Sequence, residues 1–520
     1  MGDAVRIVLS GAPVSVGVLR IILDRANSSE DWMSLCKPKM IPALVRILEE
    51  YRRESPILQG EKGILCLQLL SLAFQVALMV SQRDPFSFVD LLSMDPSLKL
   101  TDHVLSILTP QVQRSEEAVH STGIPQRMIM PFLSSEHAGQ LLEYLYQERF
   151  RFLQDRSDHS EHWTGFSVLL YGIWAHMRGL GSSLNPGILG PKLIDVACRF
   201  VAVASENKNE DILATTIIYT MRNISAMFGA AHPFPKLTDY RNPGVEVITD
   251  AMSVVRCYIL RLSHDPPNLK LYFHLYEWAR GSVHANLPDL MLSFFRFSYV
   301  GVWSILDPAK ERRPITADRV CDLIDYVGQL MGFTGTILKD PHLTPNNKDA
   351  LLTIAYQSDI FALLARILLL PLALDASTLT PRDKRNLNEL YEGLRIQLHE
   401  FGNILQTSSS SSSQLFRRSY PDWLKAVHCF QELCFMSKRD APMYHHISNS
   451  MRSWIGAGFT VFKSEPNPEP TMCLYPRCPY PALIYGMEFK CPECRAARNG
   501  CVCHKLQWAR HSYCTTHMQQ

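Results

Sequence analysis

Residues 380–401 read TPRDKRNLNELYEGLRIQLHEF, and their pattern indicates which class of fold the chain adopts. The hydroxyl of Thr380 can accept a hydrogen bond from a free backbone N–H at a helix start, and Pro381 suits the first helical position. Apolar side chains then recur every three or four residues, at Leu387, Leu390, Tyr391, Leu394, Leu398 and Phe401. This spacing predicts an α-helix with one apolar face.

Similar helical patterns occur through most of the chain. Apolar residues follow the same spacing in two further sets, which are Leu142, Leu145, Tyr146, Phe150 and Leu153, and Ile248, Met252, Val255, Ile259 and Leu262. Thr344-Pro345 repeats the helix-start signal, and Pro42 gives a similar signal for a helix through Val45 and Leu48. We find no alternating runs joined by Asn-Gly or Asp-Gly turns. The sequence therefore predicts an all-α, multi-helical body that is solenoid-like or armadillo-like, with an irregular globular helical domain as the alternative.

Composition narrows the class of protein. The chain has 520 residues, of which 47% are apolar and 20% charged, and its net charge is +2. This balance is typical of globular proteins and argues against a body that is strongly attracted to nucleic acid. The longest apolar run, from Ile64 to Val80, is interrupted by Gln68, Ser71 and Gln75, so we expect a buried helix rather than a membrane span. We expect the protein to lie in the cytoplasm or nucleus, without contacting a membrane.

The C-terminal fifth of the chain differs from the rest. An unbroken tract of hydroxyl residues predicts a flexible loop over residues 407–414. A Pro/Glu-rich segment, 464–471, cannot hold a helix and separates a predicted helical body, residues 1–463, from a small module at residues 472–517.

Half of the fourteen cysteines lie in that small module. The spacing is Cys473-x4-Cys478-x12-Cys491-x2-Cys494-x6-Cys501-x1-Cys503-x7-His511-x2-Cys514. Seven thiols and one imidazole supply eight ligands, which fills two tetrahedral zinc sites. Dense, paired cysteines in an intracellular protein favour a metal site over disulfides. The sequence therefore predicts two zinc ions, with His504 and His517 as less favoured alternate ligands.

The cysteine-rich segment resembles the MYND family of zinc modules. The resemblance covers only residues 473–514 and lies in the Cys491-x2-Cys494 pair and in the end that runs from Cys503 through Trp508 to His511. It implies interleaved ligation, with Cys473, Cys478, Cys501 and Cys503 on one ion and Cys491, Cys494, His511 and Cys514 on the other. Both sites would be closed and therefore structural. The third pair is Cys-x1-Cys here instead of Cys-x3-Cys, and the last is His-x2-Cys instead of His-x3-Cys.

MYND modules dock partner proteins, and some bind proline-containing peptides. The resemblance implies that Trp508 contacts such a partner, although packing over the second zinc is an equal alternative. The family's glutamine after the sixth ligand is His504 here, which departs from its peptide groove. We find no catalytic constellation, so we expect an interaction protein and not an enzyme. The alternatives are a diverged lysine methyltransferase, a RING-like ubiquitin ligase or a DNA-associated transcriptional regulator.

Overall fold

The structure, a computed structural model, consists of helices and the turns between them in its described residues. It describes residues 2–26, 32, 34–81, 96–122, 133–153, 163–177, 185–203, 208–227, 244–263, 269–306, 316–370, 374, 379–407 and several positions between 414 and 455. The all-α prediction is confirmed for these residues, which contain no strand.

The chain divides into two compact units. Unit 1 comprises Met1–Arg261 and His274–Ser282, and unit 2 comprises Leu262–Phe273 and Val283–Gln520. The helices that begin in unit 1 are α1 (Gly2–Ser10), α2 (Val16–Arg25), α3 (Met40–Glu54), α4 (Glu61–Ser81), α5 (Pro96–Thr122), α6 (Ser135–Gln147), α7 (Phe166–Met177), α8 (Pro186–Val203), α9 (Lys208–Met227) and α10 (Val245–Leu262). Those that begin in unit 2 are α11 (Leu269–Arg280), α12 (Pro288–Leu306), α13 (Ala317–Leu338), α14 (Pro345–Gln357), α15 (Ile360–Leu369) and α16 (Pro381–Thr407).

Each unit has its own packed pairs of helices. In unit 1, α9 packs along α8 and also against α5 and α7, while α4 packs against α2, α3 and α7. In unit 2, α16 lies along α13, and α14 packs against α12. A solenoid or armadillo-like order of these helices remains a prediction.

Both predicted helix starts are confirmed by their capping hydrogen bonds. The Thr344 hydroxyl accepts a hydrogen bond from the backbone N–H of Asn347 at 3.3 Å, and Pro345 is the first residue of α14. At α16, the Thr380 hydroxyl accepts from the N–H of Asp383, whose carboxylate accepts from the N–H of Thr380 in return. This reciprocal arrangement satisfies two donors that a helix start would otherwise leave free.

Two details differ from the predicted pattern. The helix α3 begins at Met40, so Pro42 sits inside its first turn rather than at its first position. The stripe from Leu142 to Leu153 is not one helix, since α6 ends at Gln147 and a 3₁₀ helix covers Arg149–Leu153. Glu148 lies at this break because its carboxylate accepts hydrogen bonds from the backbone N–H groups of Ile57 and Leu58, both at 2.8 Å.

The run from Ile64 to Val80 forms a single helix, as predicted. Among the described residues, Glu61–Val80 and Pro288–Leu306 are long and apolar enough to cross a membrane, and the bent pair of α14 and α15 could count as a third such segment. In the first of these, 78% of the apolar window is buried inside the protein. Its polar residues are also used internally, because Ser71 and Gln75 are buried and bond to neighbouring segments of unit 1.

Candidate functional site

The predicted zinc ligands lie outside the described residues. This holds for Cys473, Cys478, Cys491, Cys494, Cys501, Cys503, His511 and Cys514, for the alternates His504 and His517, and for Trp508. The prediction of zinc binding therefore depends on the chemistry of the side chains, because thiolate and imidazole are the ligands that zinc prefers.

The described part of the body offers no comparable set of donors. It contains no group of three or more His, Cys, Asp or Glu side chains placed to hold a metal ion. Cys66, Cys198 and Cys257 are buried single thiols. Burial raises the pKa of Cys36 to about 11, and burial with nearby aspartates raises that of Cys321 to about 12. Cys36 and Cys321 therefore stay protonated near neutral pH, which makes them poor nucleophiles and poor zinc ligands.

The most elaborate polar cluster in unit 1 is centred on Arg199. Its Nε donates to both carboxylate oxygens of Asp195, one turn earlier in α8, at 3.2 Å. Its Nη1 and Nη2 donate to the two oxygens of Asp250 in α10, at 2.6 and 2.7 Å. Trp278 of α11 donates its indole N–H to Asp195 at 2.7 Å. One buried guanidinium thus connects α8 with α10, and Asp195 connects α8 with α11.

Arg149 completes the balance of charge in this cluster. Its Nε lies 3.5 Å from Asp195, and its carbonyl accepts a hydrogen bond from Arg199 at 3.1 Å. The Arg149 guanidinium also lies over the rings of Tyr146 and Phe150, at 4.3 and 4.2 Å from their centroids. Two arginines face two aspartates, so the cluster is neutral.

The electrostatics of the Arg199 cluster indicate a structural role. Burial by itself lowers the pKa of Arg199, but the two carboxylates outweigh burial and raise it above its usual value. Because every group has a partner and Arg199 is only 3% exposed, the cluster offers no open position to a substrate.

Elsewhere in unit 1, a buried carboxylate binds the backbone N–H groups of a turn. Glu210, near the start of α9, accepts hydrogen bonds from the N–H groups of Gly165 at 2.7 Å and Ser167 at 3.2 Å. These groups precede or open α7, so the carboxylate acts as a cap supplied from a distant helix. Glu148 holds the turn before α4 in the same way.

A serine–histidine contact is the nearest approach to catalytic geometry that we find in the described helices. The Ser135 hydroxyl lies 3.2 Å from Nδ1 of His176. Burial lowers the pKa of His176, and the nearby Leu133 backbone opposes that shift. Nε2 of His176 is buried and has no hydrogen-bond partner. A serine nucleophile needs a base whose other ring nitrogen is oriented by a third group, and this histidine lacks one.

In unit 2, two tryptophans fasten the last described residues to the helices before them. The indole N–H of Trp423 donates to the carbonyl of Trp454, and that of Trp454 donates to the carbonyl of Trp423, both at 3.0 Å. Trp454 also makes an edge contact with Phe361 of α15, at 6.0 Å between ring centroids. Trp454 is therefore held against α15, and residues 456–472 separate the last described residue from the cysteine-rich segment.

The buried clusters could be inferred only in part from the sequence. A charged pair one turn apart within an apolar stretch, as Asp195 and Arg199 are, indicates a buried ion pair. Their partners Asp250 and Trp278 are 51 and 83 residues away, and no local pattern reveals them.

No protein-family model, no curated protein and no solved structure matches this chain. The resemblance to the MYND family therefore rests on the spacing of residues 473–514 alone.

Proposed function

We propose that this chain is a zinc-binding interaction protein, in which a helical body carries a C-terminal two-zinc module that docks partner proteins. The observation that carries the proposal is the set of seven thiols and one imidazole within residues 473–514. Eight ligands saturate two tetrahedral ions, which leaves no open coordination position for a substrate or a reactive water. Bound zinc would supply folding energy to this segment and no chemistry.

The described body is consistent with a scaffold. Its main buried ionic cluster is neutral and fully paired, and the Ser135–His176 contact lacks an orienting group. These features stabilise helices and do not form a reaction site, which favours an interaction protein over a methyltransferase or a ubiquitin ligase. Cysteine thiols stay reduced in the cytoplasm and nucleus, so the proposal places the protein there.

Zinc stoichiometry tests the first part of the proposal. We expect native mass spectrometry of the full chain to show two zinc ions, and Cys491→Ser to lower that number. Loss of one ion would mean that the two sites fold independently, and loss of both would mean that they fold as one unit. Cys36→Ser is the matched control, because Cys36 is a half-buried thiol of the body, and it should keep both ions. Fewer than two ions in the unmodified chain would overturn the eight-ligand assignment.

Partner docking is tested with proline-containing peptides. We expect a panel of such peptides to bind the zinc-loaded chain, and Trp508→Ala to weaken binding by about tenfold or more if the indole is a central contact. Phe297→Ala is the control, because it removes a partly exposed aromatic ring from α12 of the body and should leave peptide binding unchanged. If Trp508→Ala loses zinc as well as peptide, Trp508 packs over the metal site and is not a docking residue.

DNA binding is the second candidate, and the charge of the module is the observation that favours it. Residues 473–514 contain six basic side chains, Arg477, Lys490, Arg495, Arg498, Lys505 and Arg510, against Glu488 and Glu493. A solvated basic face is the more common meaning of such an excess. Salt-dependent binding of duplex DNA that requires this segment would favour the regulator instead.

A further inference from the structure

Two adjacent buried carboxylates lie near the start of α9, and one of them pairs with a buried cation. Glu210 is 2% exposed and Asp211 is 7% exposed. Asp211 forms an ion pair through Oδ2 with Nη2 of Arg261, in the last turn of α10, and the Arg261 side chain is itself 8% exposed. Unlike the neutral Arg199 cluster, this group therefore has one negative charge too many if both carboxylates are ionised.

The described side chains of the neighbouring helices do not correct this imbalance. Helix α5 contributes a third carboxylate, Asp102. It accepts a hydrogen bond from the Asn209 side chain, and its negative charge helps to raise the pKa of Glu210. Helix α7 carries no Asp, Glu, Lys or Arg. Among the described side chains of α8, α9 and α10, Glu246 and Arg256 are exposed. The other charged groups outside this cluster are engaged in the pairs Lys192–Glu143, Arg199–Asp195, Arg199–Asp250 and Arg222–Glu277.

Hydrogen bonding distinguishes the two carboxylates. Burial raises the pKa of Glu210, but both of its oxygens accept backbone N–H donors, from Gly165 and Ser167, and these bonds favour its ionised form. Oδ1 of Asp211 is buried and has no hydrogen-bond partner. Thr215, one turn further along α9 and 4% exposed, also has a buried hydroxyl without a partner. A proton on Oδ1 would turn that oxygen into a donor, with the Thr215 hydroxyl on the same helix face as an available acceptor.

We propose that Asp211 is a proton-binding site of unit 1, with the proton on Oδ1, and that its ionisation favours local opening of α9 and the last turn of α10, which the Asp211–Arg261 pair connects. Oδ2 accepts the hydrogen bond from Arg261 in both states. The site is therefore a pH-sensitive element built from one buried carboxyl and one unpaired hydroxyl.

The direction of the pH dependence follows from the position of the carboxyl. Burial raises the pKa of Asp211 to about 7, against the opposing effect of Arg261 and with a smaller contribution from Glu210. The folded state then binds a proton that the unfolded state has already released, so stability falls as pH rises from about 4 to 7. Between pH 6 and 8 the equilibrium constant for opening of this region should rise about tenfold because of this one group.

Hydrogen exchange of peptides from α9 and α10 provides the test. Asp211→Asn mimics the protonated carboxyl, so we expect it to fold, to be at least as protected as the unmodified chain at pH 8, and to lack the roughly tenfold rise in opening. Asp322→Asn is the matched control. Burial, opposed by Lys270, raises the pKa of Asp322 in unit 2 to about 6, and its loss should leave α9 and α10 unchanged.

Infrared spectroscopy supplies a second measurement that does not need a stable variant. The unmodified chain should show a protonated carboxyl band that weakens strongly between pH 6 and 8. Asp211→Asn should remove most of that change, whereas Asp322→Asn should remove only the part that titrates nearer pH 6. The proposal is overturned if no such band titrates in the unmodified chain. It is also overturned if Asp211→Asn folds but is less protected at every pH, because Asp211 would then act as an ionised partner of Arg261.

Discussion

The two units bury different kinds of side chain. Among the described residues, unit 1 buries seven charged side chains, which are Glu148, Asp195, Arg199, Glu210, Asp211, Arg261 and Glu277. Unit 2 buries rings and hydroxyls, with Asp359 as its one buried charged residue in the described part. Because a buried charge is tolerated only with partners in fixed positions, unit 1 should be more sensitive to the loss of one partner, and unit 2 to the loss of volume.

Removing the central cation of unit 1 should have the largest effect. Arg199→Met leaves the buried Asp195 and the half-buried Asp250 without their main partner, and we expect a loss of about 3–5 kcal/mol from the free energy of unfolding. Urea denaturation measures the change. The control is Arg395→Met, which breaks an exposed pair with Glu392 in unit 2 and should cost less than about 1 kcal/mol. If both substitutions lower the free energy of unfolding equally, the proposed difference between the units is wrong.

A glycine in unit 1 tests the backbone turn that Glu210 holds. Gly165 has a φ of 78°, and an added Cβ would lie 2.0 Å from Nε2 of Gln75. Gly165→Ala should therefore destabilise unit 1 by about 1–3 kcal/mol, through the left-handed backbone and the clash. Gly11 has a similar φ of 82°, but its nearest atom is the mobile end of Arg46 at 3.0 Å. Gly11→Ala should therefore lower the free energy of unfolding by less than Gly165→Ala. Urea denaturation of both variants measures the difference.

A buried hydroxyl pair in unit 2 should have the smallest effect. The Tyr299 hydroxyl lies 2.9 Å from that of Thr334, which donates to the Leu330 carbonyl at 2.7 Å. Tyr299→Phe removes one hydrogen bond and leaves the Thr334 donor satisfied, so we expect a loss of about 1 kcal/mol. Burial raises the pKa of Tyr299 above its usual range, so this loss should not vary between pH 6 and 8. A loss comparable to that of Arg199→Met would show that polar pairing matters equally in the two units.

Local patterns predicted the helices better than the contacts among them. Thr344 and Thr380 cap the helices that their sequence indicated, because a cap needs only residues three positions apart. The apolar stripe through Phe150 misled us, since Glu148 forms bonds to Ile57 and Leu58, about 90 residues earlier, that end the helix. The partners of Arg199 were not predictable for the same reason. The zinc ligands could be predicted because their spacing is local, but they lie outside the described residues and remain a prediction.

The distance along the chain between Asp195 and Trp278 has a consequence for synthesis on the ribosome. These partners are 83 residues apart, and unit 1 includes residues up to Ser282. At roughly 5–20 residues per second, about 4–17 s separate the synthesis of the two residues. During that interval the nascent unit 1 holds a carboxylate that lacks its indole donor. Nascent chains arrested before residue 278 emerges from the exit tunnel should therefore be less resistant to protease than chains arrested after residue 282 has emerged.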